Sequence, residues 1–98
     1  MIHYLAIVED SGRDEAVGLW FPDLPGCFFA GDTVEEAMLK AREAIAFYLE
    51  DFVSDGRPFP RPRSLAEIKA DPAHADDVAK YIVALIPFDR PPHRIAAE

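Results

Sequence analysis

The chain has 98 residues, half of them hydrophobic and 29% charged, with 18 acidic against 10 basic side chains and a net charge of −8. That length builds one hydrophobic core, and the balance of apolar and charged residues is that of a globular domain, which excludes a disordered chain. No apolar run approaches the ~20 residues of a membrane helix. The start Met1-Ile2-His3-Tyr4 lacks the basic region of a signal peptide, and the single Cys27 cannot form an internal disulfide, so a cytoplasmic protein is expected.

Residues 2–8 are apolar on both alternations, with Tyr4, Ala6 and Val8 on one side and Leu5 and Ile7 on the other. This predicts a strand central in its sheet. A polar loop over 9–15, centred on Gly12, joins it to a second strand over 16–21 as a hairpin. Pro22 and Pro25 then flank Asp23 and Leu24, fixing φ and removing two donors, and Gly26 supplies the positive φ that closes a bend. A third, antiparallel strand follows over 27–30, broken by Gly31-Asp32. Thr33 is placed to accept from the Glu36 N–H while the Glu36 carboxylate reaches back to the Thr33 N–H, the reciprocal pattern of a capping box.

From Thr33 the period becomes helical, with Val34, Ala37, Met38, Ala41, Ile45, Tyr48, Leu49 and Phe52 on one stripe. The helix is predicted to end near Ser54, with Gly56 as its C-terminal cap. Phe47 points away from the stripe and either needs a second surface to cover it or remains exposed. Residues 57–63 read as polyproline-like, Ser64 and Glu67 cap a short helix from Leu65 to Ala70, and Asp71-Pro72 end it. A last strand is predicted over 79–87, closed by Pro87, and 88–98 read as a Pro-containing linker or tail. These elements define an α/β (α+β) sandwich with a four-stranded, mostly antiparallel sheet of order 3-2-1-4. In it a right-handed crossover lays the last strand parallel to the first, with the long helix across one face.

Chemistry is sparse. Asp10, Asp23 and Asp32 are the candidate carboxylates for a metal-dependent nuclease, yet a hairpin loop, a turn and a helix start explain each. His3, His74 and His93 share no metal-ligand spacing, and Cys27 has no basic neighbour to make it reactive. No catalytic, metal or cofactor site is expected. Binding character lies in aromatics: adjacent rings in Trp20-Phe21 and Phe28-Phe29 must point to opposite sheet faces and one helix covers only one face, so the other rings are covered by the last strand's loop or the Pro-rich segment, or form an interface. Trp20, Asp23, Phe28, Phe29 and Phe47 are the candidate partner interface, and the edge strand over 27–30 is a route to self-association. Residues 1–55 hold twelve acids against three bases, a surface that repels phosphates and steers a basic partner, although solubility alone explains it equally well.

The sequence Phe21-Pro22-Asp23-Leu24-Pro25-Gly26-Cys27, followed by Gly31-Asp32-Thr33-Val34-Glu35-Glu36-Ala37, resembles the signature of the HicB antitoxin family. The resemblance covers 2–87. It implies that Pro22, Pro25, Gly26, Gly31, Thr33 and Glu36 are structural and that 1–87 form a partial ribonuclease-H-like domain. It also implies a non-enzymatic module that covers the active site of a small, basic, HicA-like RNA-cleaving toxin and assembles as a homo-oligomer, dimer or tetramer. Many members carry a C-terminal DNA-binding domain for autoregulation. None fits within 88–98, so neither DNA nor membrane is an expected partner of this chain alone. Two other readings stand beside it: a metal-dependent nuclease using Asp10, Asp23 and Asp32, and an orphan ligand-binding or scaffold domain.

Overall fold

Because β1 (Ile2–Glu9) is apolar on both alternations, it needs cover on both faces, and a computed structural model of the chain, describing residues 2–12 and 15–88, supplies it. β1 lies between β2 (Val17–Trp20) and β4 (Ile82–Phe88), and β3 (Phe28–Gly31) completes an antiparallel sheet of order β3-β2-β1-β4. On one face Tyr4, Ala6 and Val8 meet the i, i+4 row Ala37, Ala41, Ile45 and Leu49 of α1 (Val34–Ser54), all fully buried. On the other, Leu5 and Ile7 pack against Ile68 of α2 (Leu65–Ala70), with Val78 of α3 (Ala75–Lys80) and Tyr81 beside them.

The final strand runs opposite to the expected sense: β4 is antiparallel to β1, with Ile2 opposite Phe88 and Val8 opposite Ile82. The reason is α3, which was not expected. α1 starts after Gly31, at the sheet end where β1 finishes, and runs to the far end; there the Tyr4 hydroxyl donates to the Pro60 carbonyl at 2.8 Å as the chain passes to the second face. α2 and α3 bring it back to the first end, so β4 enters beside Val8. Ala79 and Lys80 belong to this helix instead of the strand, which begins at Ile82 and continues through Pro87 to the buried Phe88. Two other strands are adjusted at their ends: Ala16 and Phe21 lie outside β2, while Gly31 joins β3 and Cys27 precedes it. Arg13 and Asp14 of the hairpin loop, and 89–98 with His93, lie outside the described residues.

Local signals set the helix ends. α1 stops in a Schellman motif, with the Arg57 N–H donating to the Phe52 carbonyl at 2.8 Å and the Gly56 N–H to Val53 at 3.2 Å. Ser64 and Glu67 form the expected capping box on α2. At the start of α1 the Thr33 hydroxyl accepts from the Glu36 N–H at 3.0 Å, but the Glu36 carboxylate accepts from the Asp32 N–H at 2.8 Å, one residue before the expected Thr33 donor. Gly31 permits that approach, since a Cβ there would sit 3.0 Å from the Ala37 nitrogen and 3.1 Å from the Glu36 carboxylate.

The α2 cap carries a pH dependence. Glu67 accepts from the Arg61 guanidinium at 3.0 and 3.3 Å and from the Ser64 N–H at 2.8 Å; these contacts, Arg61 first, hold its carboxyl at about 2 against an ordinary 4.5. A depressed carboxyl stabilises the fold above its unfolded pKa, and the contribution is lost as pH falls through the folded value. Glu67→Gln is therefore expected to lower Tm at neutral pH, with the gap to the parent closing between 4.5 and about 2. A gap that stays constant across an acid titration followed by circular dichroism would contradict the assignment.

Candidate partner-binding groove

The Pro-Asp-Leu-Pro-Gly segment is built as two successive turns. Leu24 N–H donates to Phe21 at 3.1 Å and Cys27 N–H to Leu24 at 3.0 Å, with Pro25 and Gly26 (φ +83°) in the central positions of the second turn, as a type II turn requires. Leu24 plugs the α1-side core. Two long-range bonds fix the turn. The Tyr48 hydroxyl donates to the Pro25 carbonyl at 2.8 Å, and the Asp23 carboxylate accepts from the Arg63 backbone N–H at 2.7 Å and its Nε at 2.6 Å. Arg63 continues to Asp71 at 3.0 Å, tying the turn to the end of α2.

Asp23 thus points inward. Its side chain is only 6% exposed, which suits a clamp and removes it from any surface offered to a partner. Arg63→Ala leaves this carboxylate with the backbone donor alone and is expected to cost about 2 kcal/mol, read as a lowered denaturant midpoint at unchanged m-value. A change under about 0.5 kcal/mol would mean that the pair is only a surface contact.

The turn sets the start of β3, and β3 with the outer flank of α1 encloses a groove of 420 Å³. Phe28, Phe29 and Phe47 line it together with Tyr48, Asp51, Phe52 and Arg57. Phe29 and Phe47 therefore share the α1 side of the sheet, while Phe28 only rims the groove, its ring lying on the opposite sheet face beside Gly18 and Trp20. Phe47 is 77% exposed and Phe28 61% exposed, whereas Phe29 turns toward the core and meets Phe21 edge-on at 6.1 Å. Trp20 does not join the groove: it faces the α2–α3 layer, edge-on to Tyr81 at 5.8 Å, with the Phe28 ring stacked beside it on the same sheet face at 6.4 Å. The layer made by the expected α2 and the unexpected α3, with Tyr81, is what packs against it.

Tyr48, Phe52 and Arg57 were not singled out as binding residues. Tyr48 and Phe52 sit on the helix's apolar stripe and read as core, while Arg57 lies 4.1 Å over the Phe52 ring in a cation–π contact visible only once the helix has ended. Cys27 also lines the groove, and burial pushes its thiol up to about 11, which makes it a small apolar wall there. Asp51 lies in the groove wall, and Glu43 and Glu50 are exposed next to Phe47 on the helix surface.

The nuclease candidates do not converge. Asp10 and Asp32 line a shallow depression at the end of the sheet where β1 and β3 finish, while Asp23 lies past the opposite end of β2. Among the described residues no three His, Cys, Asp or Glu side chains form a metal-binding group, and no helix is long and apolar enough to cross a membrane.

A four-stranded antiparallel sheet with helices on both faces defines an α+β domain. Residues 4–96 match the family model of HicB-like antitoxins of bacterial toxin-antitoxin systems, and the chain belongs to that family. The fold is that of the HicB N-terminal domain: the Burkholderia pseudomallei antitoxin HicB superposes with a TM-score of 0.74 at 26% identity over 91% of this chain and 64% of that one. A chain of the HicA3 and HicB3 toxin-antitoxin complex superposes at 0.66 with 27% identity, over 91% of this chain and all of that one. A 14.9 kDa protein from the rep-hol intergenic region of Haemophilus phage HP1 is 40% identical over 69% of this chain but 48% of its own length. The chain thus spans about half of that relative and under two thirds of the Burkholderia HicB chain.

Proposed function

We propose that this chain is the antitoxin of a toxin-antitoxin pair and neutralises a small, basic, HicA-like RNA-cleaving toxin by direct binding, acting as a cytoplasmic homo-oligomer without enzymatic activity. The observation that carries the reading is the aromatic groove between β3 and α1, whose exposed Phe47 stands beside Phe29, Tyr48 and Phe52 and among acids in a protein of the antitoxin family. Large rings in a groove supply buried area, and the surrounding acids set orientation and association rate toward a basic surface. The toxin partner in the HicA3 and HicB3 complex supports the same partner class for this chain. A domain that runs through the buried Phe88 of β4, one residue past the expected limit of 87, completes the proposal, with any autoregulatory DNA binding assigned to a region other than this domain.

Co-expression with the product of the neighbouring gene tests it. A tagged chain is expected to retain a small basic protein through a wash at physiological salt. Recovery of the tagged chain alone, with both proteins soluble, would count against the antitoxin role.

A further inference from the structure

Among the described residues the sheet has two unpaired edges, which differ in length and charge. β3 is four residues long and runs straight into Asp32, with Glu35 and Glu36 of α1 beside it. β4 is seven residues long, and no charged side chain lies between Lys80 and Asp89. Among the described residues nothing pairs with the outer side of β4. Two of its side chains stand out in solvent, one on each face: Ile82 beside Val8 on the α1 side, and Leu85, 62% exposed, beside Leu5 on the α2–α3 side.

An apolar edge of this length is a template for a further strand, and folded proteins ordinarily blunt such edges with charge, a bulge or proline. Here only Pro87, next to the last residue, removes a donor. Charge decides what fits. With a net charge of −8 the chain repels a copy of itself, so self-contact is least opposed where the surface is uncharged. β4 meets that condition and β3 does not. The acid-rimmed β3 edge suits a basic partner, whereas the uncharged β4 edge suits a second copy.

We infer that β4 pairs antiparallel with β4 of a second copy across a two-fold axis, extending the sheet to eight strands. Such an interface is isologous, and pairing the full length of Ile82–Phe88 with its copy puts the axis at the middle residue, Leu85. Side chains directly opposite across an antiparallel pair have Cβ atoms about 5 Å apart. The two Leu85 side chains therefore face each other on the α2–α3 side. Both grooves remain open at the outer ends of the extended sheet, away from the axis. The inference rests on the homo-oligomer part of the proposed function and is independent of toxin binding.

Light scattering on the full chain after size exclusion tests it. The parent is expected at twice 10.9 kDa and Leu85→Asp at 10.9 kDa, while Leu39→Asp, an exposed change on α1, stays at the doubled mass. Leu85→Cys supplies a second readout: mild oxidation is expected to give a disulfide-linked dimer on a non-reducing gel, with the buried Cys27 giving none in the parent. A parent at 10.9 kDa would overturn both the self-association and this edge. A dimeric parent whose Leu85→Asp variant stays dimeric and whose Leu85→Cys variant does not cross-link would overturn the edge alone.

Discussion

Replacing Ile68 by alanine is expected to destabilise the fold by about 3 kcal/mol, which for a domain of this size lowers Tm by roughly 12–24 °C. α2 and α3 are six residues each, too short to hold as helices without tertiary packing, and Ile68 is the only residue of either that is buried. It fills the space over Leu5 and Ile7, so its loss opens a cavity against a central strand and weakens the layer that also covers Trp20. Leu65→Ala, a more exposed change on the same helix, is expected to cost less than about 1 kcal/mol. Denaturant titration of the two variants measures the difference. Equal losses would mean that α2 and α3 do not share one core with the sheet.

The second large effect concerns binding. Phe47→Ala removes a ring that is 77% exposed, so stability is expected to change by less than about 0.5 kcal/mol. If Phe47 anchors the toxin, the same change costs at least about 2 kcal/mol of binding, a loss of roughly 30-fold in Kd. Phe28→Ala, whose ring lies on the opposite sheet face, is expected to cost less than Phe47→Ala, while Leu39→Ala, exposed on α1 but outside the groove, leaves Kd unchanged. Raising salt is expected to slow association more than it speeds dissociation, because the acids at the rim act at long range. Titration calorimetry with the purified toxin measures the first effect. A Phe47→Ala variant with unaltered Kd would move the interface off the groove.

The parts of the fold legible in the sequence are those whose cause is local. Pro25 and Gly26 specify their turn within four residues, Ser64 and Glu67 cap α2 within four, and the double alternation of β1 demands cover on both sides. The direction of β4 was not legible because α3 gives almost no signal. It contributes Val78 as its one large apolar residue, its N-cap His74 makes no side-chain cap bond, and Ala79 and Lys80 merge into the apolar run that follows. Without that helix the return path is one crossover, and one crossover makes a parallel strand.

The groove divides in the same way. Phe47 was visible because 100° per residue puts it off the core stripe, and the split of Phe29 to the α1 side and Phe28 to the Trp20 side because adjacent strand residues diverge. Asp23 misled because its partner Arg63 is 40 residues away. Nothing near Asp23 in the chain shows that its carboxylate turns inward. Trp20 misled for a related reason: the layer covering it is made by α2, α3 and Tyr81, remote in sequence and weak in pattern.

The most direct test of the antitoxin reading is RNA cleavage by the purified neighbouring toxin, titrated with this chain. Cleavage is expected to fall in proportion to added chain and to vanish near equimolar amounts, with Phe47→Ala shifting the curve to higher concentration. Undiminished cleavage at a large excess of folded chain would contradict the reading, as would divalent-dependent cleavage by the chain itself that is lost on Asp10→Ala or Asp32→Ala.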